Sequence, residues 1–186
     1  MIVFLVGVVI FFGVHLLPMV PALQPARQAL VRRFGAGPYQ GLFSLVAVAG
    51  LVLVVVGYGR IETTVFWFAP AWGWTLNPPL MVVATVLAIA AYLPGNIKRF
   101  TRHPFLWAVI VWAIAHWLVT GTLAAVLLFG LFAVFAGLAM ISANLRGATL
   151  QQARKPWYLD VAAVAAGLVG YVTIVWLHGW LGVPVV

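Results

Sequence analysis

The chain contains no cysteine and only two acidic residues, Glu62 and Asp160, among 186. Without cysteine there is no disulfide, no thiolate ligand and no iron–sulfur cluster. The two carboxylates fall at the edges of apolar runs, beside Arg60 and Lys155, as interfacial ion-pair candidates. None lies in a membrane core, which argues against a proton-pumping relay, paired-carboxylate acid–base chemistry and a hard-cation site built from several oxygens. Charge of either sign is scarce: 6% of residues are charged, against about 25% in a soluble domain. With 66% hydrophobic residues and a mean hydropathy of +1.16, the chain is an integral membrane protein. Its formal charge of +8 sits in short clusters between apolar runs, a topology pattern that gives no reason to expect nucleic-acid binding.

What is present is long, continuous apolar sequence. Six segments, near residues 2–20, 39–58, 78–95, 104–121, 122–143 and 158–178, approach the roughly 20 residues a helix needs to cross the hydrocarbon core. Continuity favours helix, since a membrane strand would alternate. Pro18 and Pro21 break the first run, Pro94-Gly95 ends the third, and Gly121-Thr122 leaves only a tight turn between the fourth and fifth. Nine of the ten Lys and Arg residues follow the first, third and fifth runs, with Arg60 alone on the other side. The positive-inside rule then places both termini outside. The first run has no basic residue before it, is long and contains a histidine, so it reads as a retained helix and not a signal peptide. Trp67, Phe68, Trp72 and Trp74, in an outer loop over 59–77, fit an aromatic belt. The expected fold is an all-α polytopic membrane bundle of about six transmembrane helices, one domain over 1–186.

Within this apolar background four histidines stand out. His15 and His116 lie inside spans, where an ionisable side chain needs a partner or a task. Neutral imidazole is also a common ligand for haem iron and other metals. His103 and His116 are thirteen residues apart in one span, so about 20 Å along the helix and about 140° around it. They cannot ligate one metal together, and the paired-histidine spacing of zinc proteases is absent. His15 differs in depth from His116 by roughly 10 Å on a helical rise and by about as much from His103. Either pairing fits a tilted haem, and helical geometry does not choose between them. The plainer alternative is a hydrogen bond across helices, with Ser44, Thr85 and Thr120 as available partners. For His103, beside Pro104 at a helix start, capping or a lipid phosphate would suffice. His178, in His178-Gly179-Trp180, reads as a boundary residue.

Gly7 to His15 with Pro18-Met19-Val20-Pro21, Gly37-Pro38-Tyr39-Gln40-Gly41-Leu42-Phe43-Ser44-Leu45, Ala91-Tyr92-Leu93-Pro94-Gly95, and Arg102-His103-Pro104 through Trp112, Ala115 and His116 resemble the NnrU family over nearly the whole chain. That resemblance implies a bacterial inner-membrane protein associated with nitrate, nitrite and nitric oxide metabolism. The family also includes haem-b-dependent 15-cis-zeta-carotene isomerases. By resemblance His15 and His116 would be axial haem ligands and His103 a further sensitive histidine, with Arg102 and Trp112 in the same block. The isomerases carry a cysteine one turn before the His116 position; here it is Ala113.

Four functions follow as expectations. The first is a haem-b protein of the NnrU type that handles nitric oxide or another small ligand. The second is a haem-dependent isomerase of zeta-carotene or a related polyene lipid. The third is an S-adenosylmethionine-dependent methyltransferase, suggested by Arg102-His103-Pro104 but weakened by a C-terminal third whose only acidic residue is Asp160. The fourth is a non-enzymatic membrane scaffold.

Overall fold

The apolar runs form helices, as a backbone in lipid must satisfy its own hydrogen bonds. A computed structural model of the protein describes residues 1–61 and 64–181. Its helices are α1 (Ile2–Met19), α2 (Gln24–Phe34), α3 (Ala36–Tyr58), α4 (Ala71–Ala90), α5 (Ile97–Phe100), α6 (Pro104–Val119), α7 (Leu123–Leu145) and α8 (Trp157–Trp180). Five of them, α1, α3, α4, α7 and α8, are long and apolar enough to cross a membrane, and α6 is a shorter apolar helix of 16 residues. The polytopic helical architecture is therefore the expected one.

Three boundaries differ from the expectation. The third span begins at Ala71 and not near residue 78, because Pro78 and Pro79 lie inside α4. In a membrane helix such prolines are tolerated when neighbours satisfy the freed backbone groups. Trp72 and Trp74 thus belong to the first turn of α4 and not to a loop. Residues 24–34, expected as a loop, form α2; this helix is polar enough to escape a hydropathy reading. Pro18 does not break α1, which runs through it to Met19; Pro21 then opens a single 3-10 turn, Pro21–Leu23.

The chain divides into two compact units, Met1–Thr64 and Val65–Val186. In the first, α1 and α3 pack antiparallel at very close range. A Cβ on Gly7 would lie 2.5 Å from the Val54 backbone nitrogen, and one on Gly50 would lie 2.7 Å from that of Phe11. Gly57 faces the Phe4 backbone in the same way. Only glycine permits this approach, and the backbone proximity supplies the dispersion contact that holds membrane helices together. Phe4 and Val54 are completely buried in that seam. The Gln24 amide donates to the Pro18 carbonyl at 2.7 Å, fastening the start of α2 to the end of α1.

In the second unit α4 packs against both α6 and α8, and α6 also packs against α7. Small residues dominate the seams, with Ala84, Ala108, Ala113, Ala115 and Ala125 all buried. Polar bonds close both ends. At one end the tight turn forms as expected: Thr122 caps α7 by accepting from the Ala125 N–H. The Phe66 N–H donates to the Gly121 carbonyl at 2.7 Å, and Trp67 donates through its indole to the Trp117 carbonyl at 3.1 Å. Trp67 is thus fastened to the protein as well as suited to an interfacial belt.

At the opposite end, Asn96 donates from its backbone and its side chain to the two Asp160 oxygens, at 2.5 and 2.6 Å. Its amide also brackets the Lys155 backbone, donating to the carbonyl at 2.8 Å and accepting from the N–H at 2.9 Å. The Asp160–Lys155 ion pair expected from sequence is therefore replaced by an amide clasp: Lys155 takes part through its backbone only. The companion expectation, Glu62 with Arg60, lies outside the described residues.

Candidate functional site

His15 sits one turn before the end of α1. Its Nδ1 lies 2.6 Å from the Phe11 carbonyl on its own helix. A carbonyl can only accept, so Nδ1 carries the proton and Nε2 of the neutral ring keeps its lone pair. This is the arrangement found in metal-binding imidazoles, in which a hydrogen bond at one nitrogen fixes the tautomer and orients the other. Phe11 and Phe43 flank the ring, with centroids at 4.5 and 5.0 Å. Phe43 and the buried Tyr39 then line a largely apolar cleft of about 270 Å³, with Val14, Leu30, Phe34 and Leu42 around it.

His116 repeats the pattern in α6. Its Nδ1 lies 2.8 Å from the Trp112 carbonyl, so here too Nδ1 carries the proton and Nε2 the lone pair. The ring stacks on Phe129 of α7, with centroids 4.6 Å apart and planes 26° apart, and lies 5.2 Å from the Trp112 ring. Trp112 in turn meets Phe129 and Phe132 edge-on, at 4.9 and 5.6 Å. Ala113 is fully buried beside Ala125 and Phe129.

Trp112 links this cluster to a second apolar cleft, of about 190 Å³, between α4, α6 and α8. Ala84, Ala88 and Ala108 form part of its wall, and His178 closes it. By its place in the sequence His178 is expected to be a boundary residue. In the structure it is a partly buried wall of a cavity, and its Nδ1 lies 2.9 Å from the Ile174 carbonyl. The signal missed was position: α8 runs to Trp180, so His178 falls inside the helix and not beyond it. Two contacts fix its level. Asn77 of α4 donates to the Ala115 carbonyl at 2.8 Å, and Gly167 packs on Val86. Stepping outward from each at the helical rise brings His116 and His178 to about the same level of α4. Thr85, expected as a hydroxyl partner for a histidine, instead donates to the Met81 and Val82 carbonyls.

His103 is different. It occupies the N-cap position of α6 without a capping bond from its ring. Its Nε2 lies 3.0 Å from Asn144 Oδ1, which also accepts from Arg102 at 3.3 Å. Arginine only donates, so this atom is an acceptor and His103 Nε2 must carry the proton. The tautomer is thus opposite to that of His15, His116 and His178. His103 joins Arg102 in a polar clasp to the end of α7, and Asn144 is the member that spacing along the chain did not reveal.

Among the described residues no group of three or more His, Cys, Asp or Glu side chains could enclose a metal ion. A porphyrin supplies four nitrogens of its own, so an iron held that way asks for only one or two imidazoles. His15 and His116 belong to different compact units, and each presents one such nitrogen among aromatic rings. The donor chemistry at each fits a haem ligand.

The family model described as NnrU protein matches residues 3–185. The chain therefore belongs to the NnrU family, and the match runs through both compact units. No curated protein and no solved structure matches it.

Proposed function

We propose, taking NnrU membership as the premise, that this inner-membrane protein binds haem b through His15 and His116 and serves nitrate, nitrite or nitric oxide metabolism. The observation that carries the reading is the shared tautomer. Both rings spend Nδ1–H on a carbonyl of the preceding turn and hold Nε2 as a lone-pair donor in apolar, aromatic surroundings. Bound haem would supply a redox-active iron, able to take a small ligand such as nitric oxide once one of the two imidazoles is released. The protein's own part is to orient the imidazoles, through Phe11 and Phe43 at His15 and through Trp112 and Phe129 at His116, and to exclude water with those same rings.

The test is one spectrum. Protein purified from haem-replete cells is expected to show a Soret band, which shifts or disappears in His15→Ala and His116→Ala and persists in His103→Ala. A colourless protein, or a band indifferent to both substitutions, overturns the reading.

A second reading, a haem-dependent isomerase acting on a polyene, is favoured by one feature: the apolar cleft walled by Trp112, adjacent to His116. The buried Ala113 offers no thiolate for a cysteine–histidine exchange, so such an enzyme would work without that exchange. Coexpression with a zeta-carotene-producing pathway and pigment chromatography decides it; an unchanged cis/trans ratio removes it.

A further inference from the structure

The cleft of the first unit has properties that the haem reading does not use. Its lining, Val14 and Leu17 from α1, Leu30 and Phe34 from α2, and Tyr39, Leu42 and Phe43 among those from α3, is entirely apolar apart from the tyrosine hydroxyl. Several of these side chains are left largely uncovered: Phe34 is 51% and Leu42 55% exposed. An apolar slot at a membrane boundary takes an acyl chain.

What sets this slot apart is its rim. Arg27, Leu30 and Phe34 stand three and four residues apart on α2, which places them along one helix face. Leu30 and Phe34 enter the slot, so Arg27 stands at its edge. The guanidinium lies 5.7 Å from the centroid of the Tyr39 ring, itself part of the slot lining. That cation–π contact orients the guanidinium but leaves its charge unneutralised. Arg32 and Arg33 add charge in the last turn of the same helix. Among the described residues of this unit there is no aspartate or glutamate, so none of them offers these arginines an anion. Gln24, bonded to the Pro18 carbonyl, keeps α2 against α1 and so keeps charge and slot in register.

We propose that this slot is a binding site for an anionic phospholipid, one acyl chain lying between α1, α2 and α3 and the phosphate received by Arg27. A basic amphipathic helix beside a membrane span is the arrangement that selects anionic lipids, and here it adjoins a cavity for the chain. The site lies within one compact unit and does not depend on haem.

The test uses the full-length protein in detergent, titrated separately with dioleoyl phosphatidylglycerol, dioleoyl phosphatidylcholine and dihexanoyl phosphatidylglycerol, with retained lipid counted by native mass spectrometry. Wild type is expected to retain the long-chain anionic lipid in preference to both others. Arg27→Gln should weaken retention of dioleoyl phosphatidylglycerol about fivefold and leave phosphatidylcholine unchanged, while Arg27→Lys should largely preserve it. Leu42→Trp, which fills the slot, should lower binding of both long-chain lipids. Circular dichroism of each variant should match wild type. Equal retention of the two long-chain lipids overturns the proposal, as does equal retention of long- and short-chain phosphatidylglycerol. A folded Arg27→Gln that keeps the wild-type preference also overturns it.

Discussion

The two compact units hold their helices together by different means. In Met1–Thr64 the seam between α1 and α3 is made by absence: glycines at 7, 50 and 57 let backbones touch, and the fully buried Phe4 and Val54 fill what remains. In Val65–Val186 alanines line the seams, and polar groups lock the ends, as in the Asn96–Asp160 clasp, the Thr122 cap and the Asn144 bond to Arg102 and His103. Lipid tails are as apolar as leucine, so hydrophobicity does not drive helices together inside a bilayer. The first unit answers with close van der Waals packing, and the second adds hydrogen bonds where the helices emerge. The contrast predicts which substitutions each unit should resist.

The largest effect is expected from Gly57→Leu, which forces a branched side chain into the Phe4 backbone and should cost about 3 kcal/mol as overpacking. An SDS titration followed by far-ultraviolet circular dichroism would measure it. Gly13→Leu on the same helix pair is the control: nothing lies within 4 Å of its Cβ position, so it should fall within about 0.5 kcal/mol of wild type. Equal losses at the two sites would break the distinction between seam and surface. Asp160→Ala should cost about 2 kcal/mol, because it strips a charged acceptor from two Asn96 donors. Hydrogen exchange at residues 95–102 should rise with it. Thr122→Ala removes the cap of α7 for about 1 kcal/mol, again read by the titration. Asn144→Ala should be the mildest, at about 0.6 kcal/mol. It should also move the His103 Nε2 resonance in an NMR spectrum at fixed pH, because the Asn144 acceptor is gone, while the ring resonances of His15 and His116 stay as they are. A His103 resonance unmoved by Asn144→Ala would remove the clasp from the account.

The spans were legible because the bilayer imposes one dominant rule, a run of apolar residues, and the chain obeys it. Where a second rule competed, the reading failed. Hydropathy starts the third span near residue 78, yet α4 begins at Ala71 and passes through Pro78 and Pro79. Arg27, Arg32 and Arg33 looked like a topology loop, yet they ride a helix that no hydropathy window detects. At the candidate site, His15 and His116 were visible by their surroundings alone. Their tautomers were not, since these depend on a carbonyl four residues back and a hydrogen-bond geometry that only coordinates supply. Asn144 and His178 acquire meaning through partners distant in the chain, 41 residues away for the Asn144–His103 bond. Spacing rules for single helices carry no information about such pairs.

One consequence follows from the shortness of α6. Its 16 residues span about 24 Å at the helical rise, less than the roughly 30 Å of hydrocarbon in an average bilayer. The companion helices α4, α7 and α8 are long enough to cross in full. Lipid beside α6 must therefore thin, or headgroups and water must dip toward its ends, at a cost that grows with every ångström of mismatch. His116 lies three residues before the end of this helix, within reach of such a dip. The depth at which its ring meets water is then set by the host bilayer as well as by the protein, and lengthening the lipid acyl chains should alter the chemistry at His116 before it alters the fold.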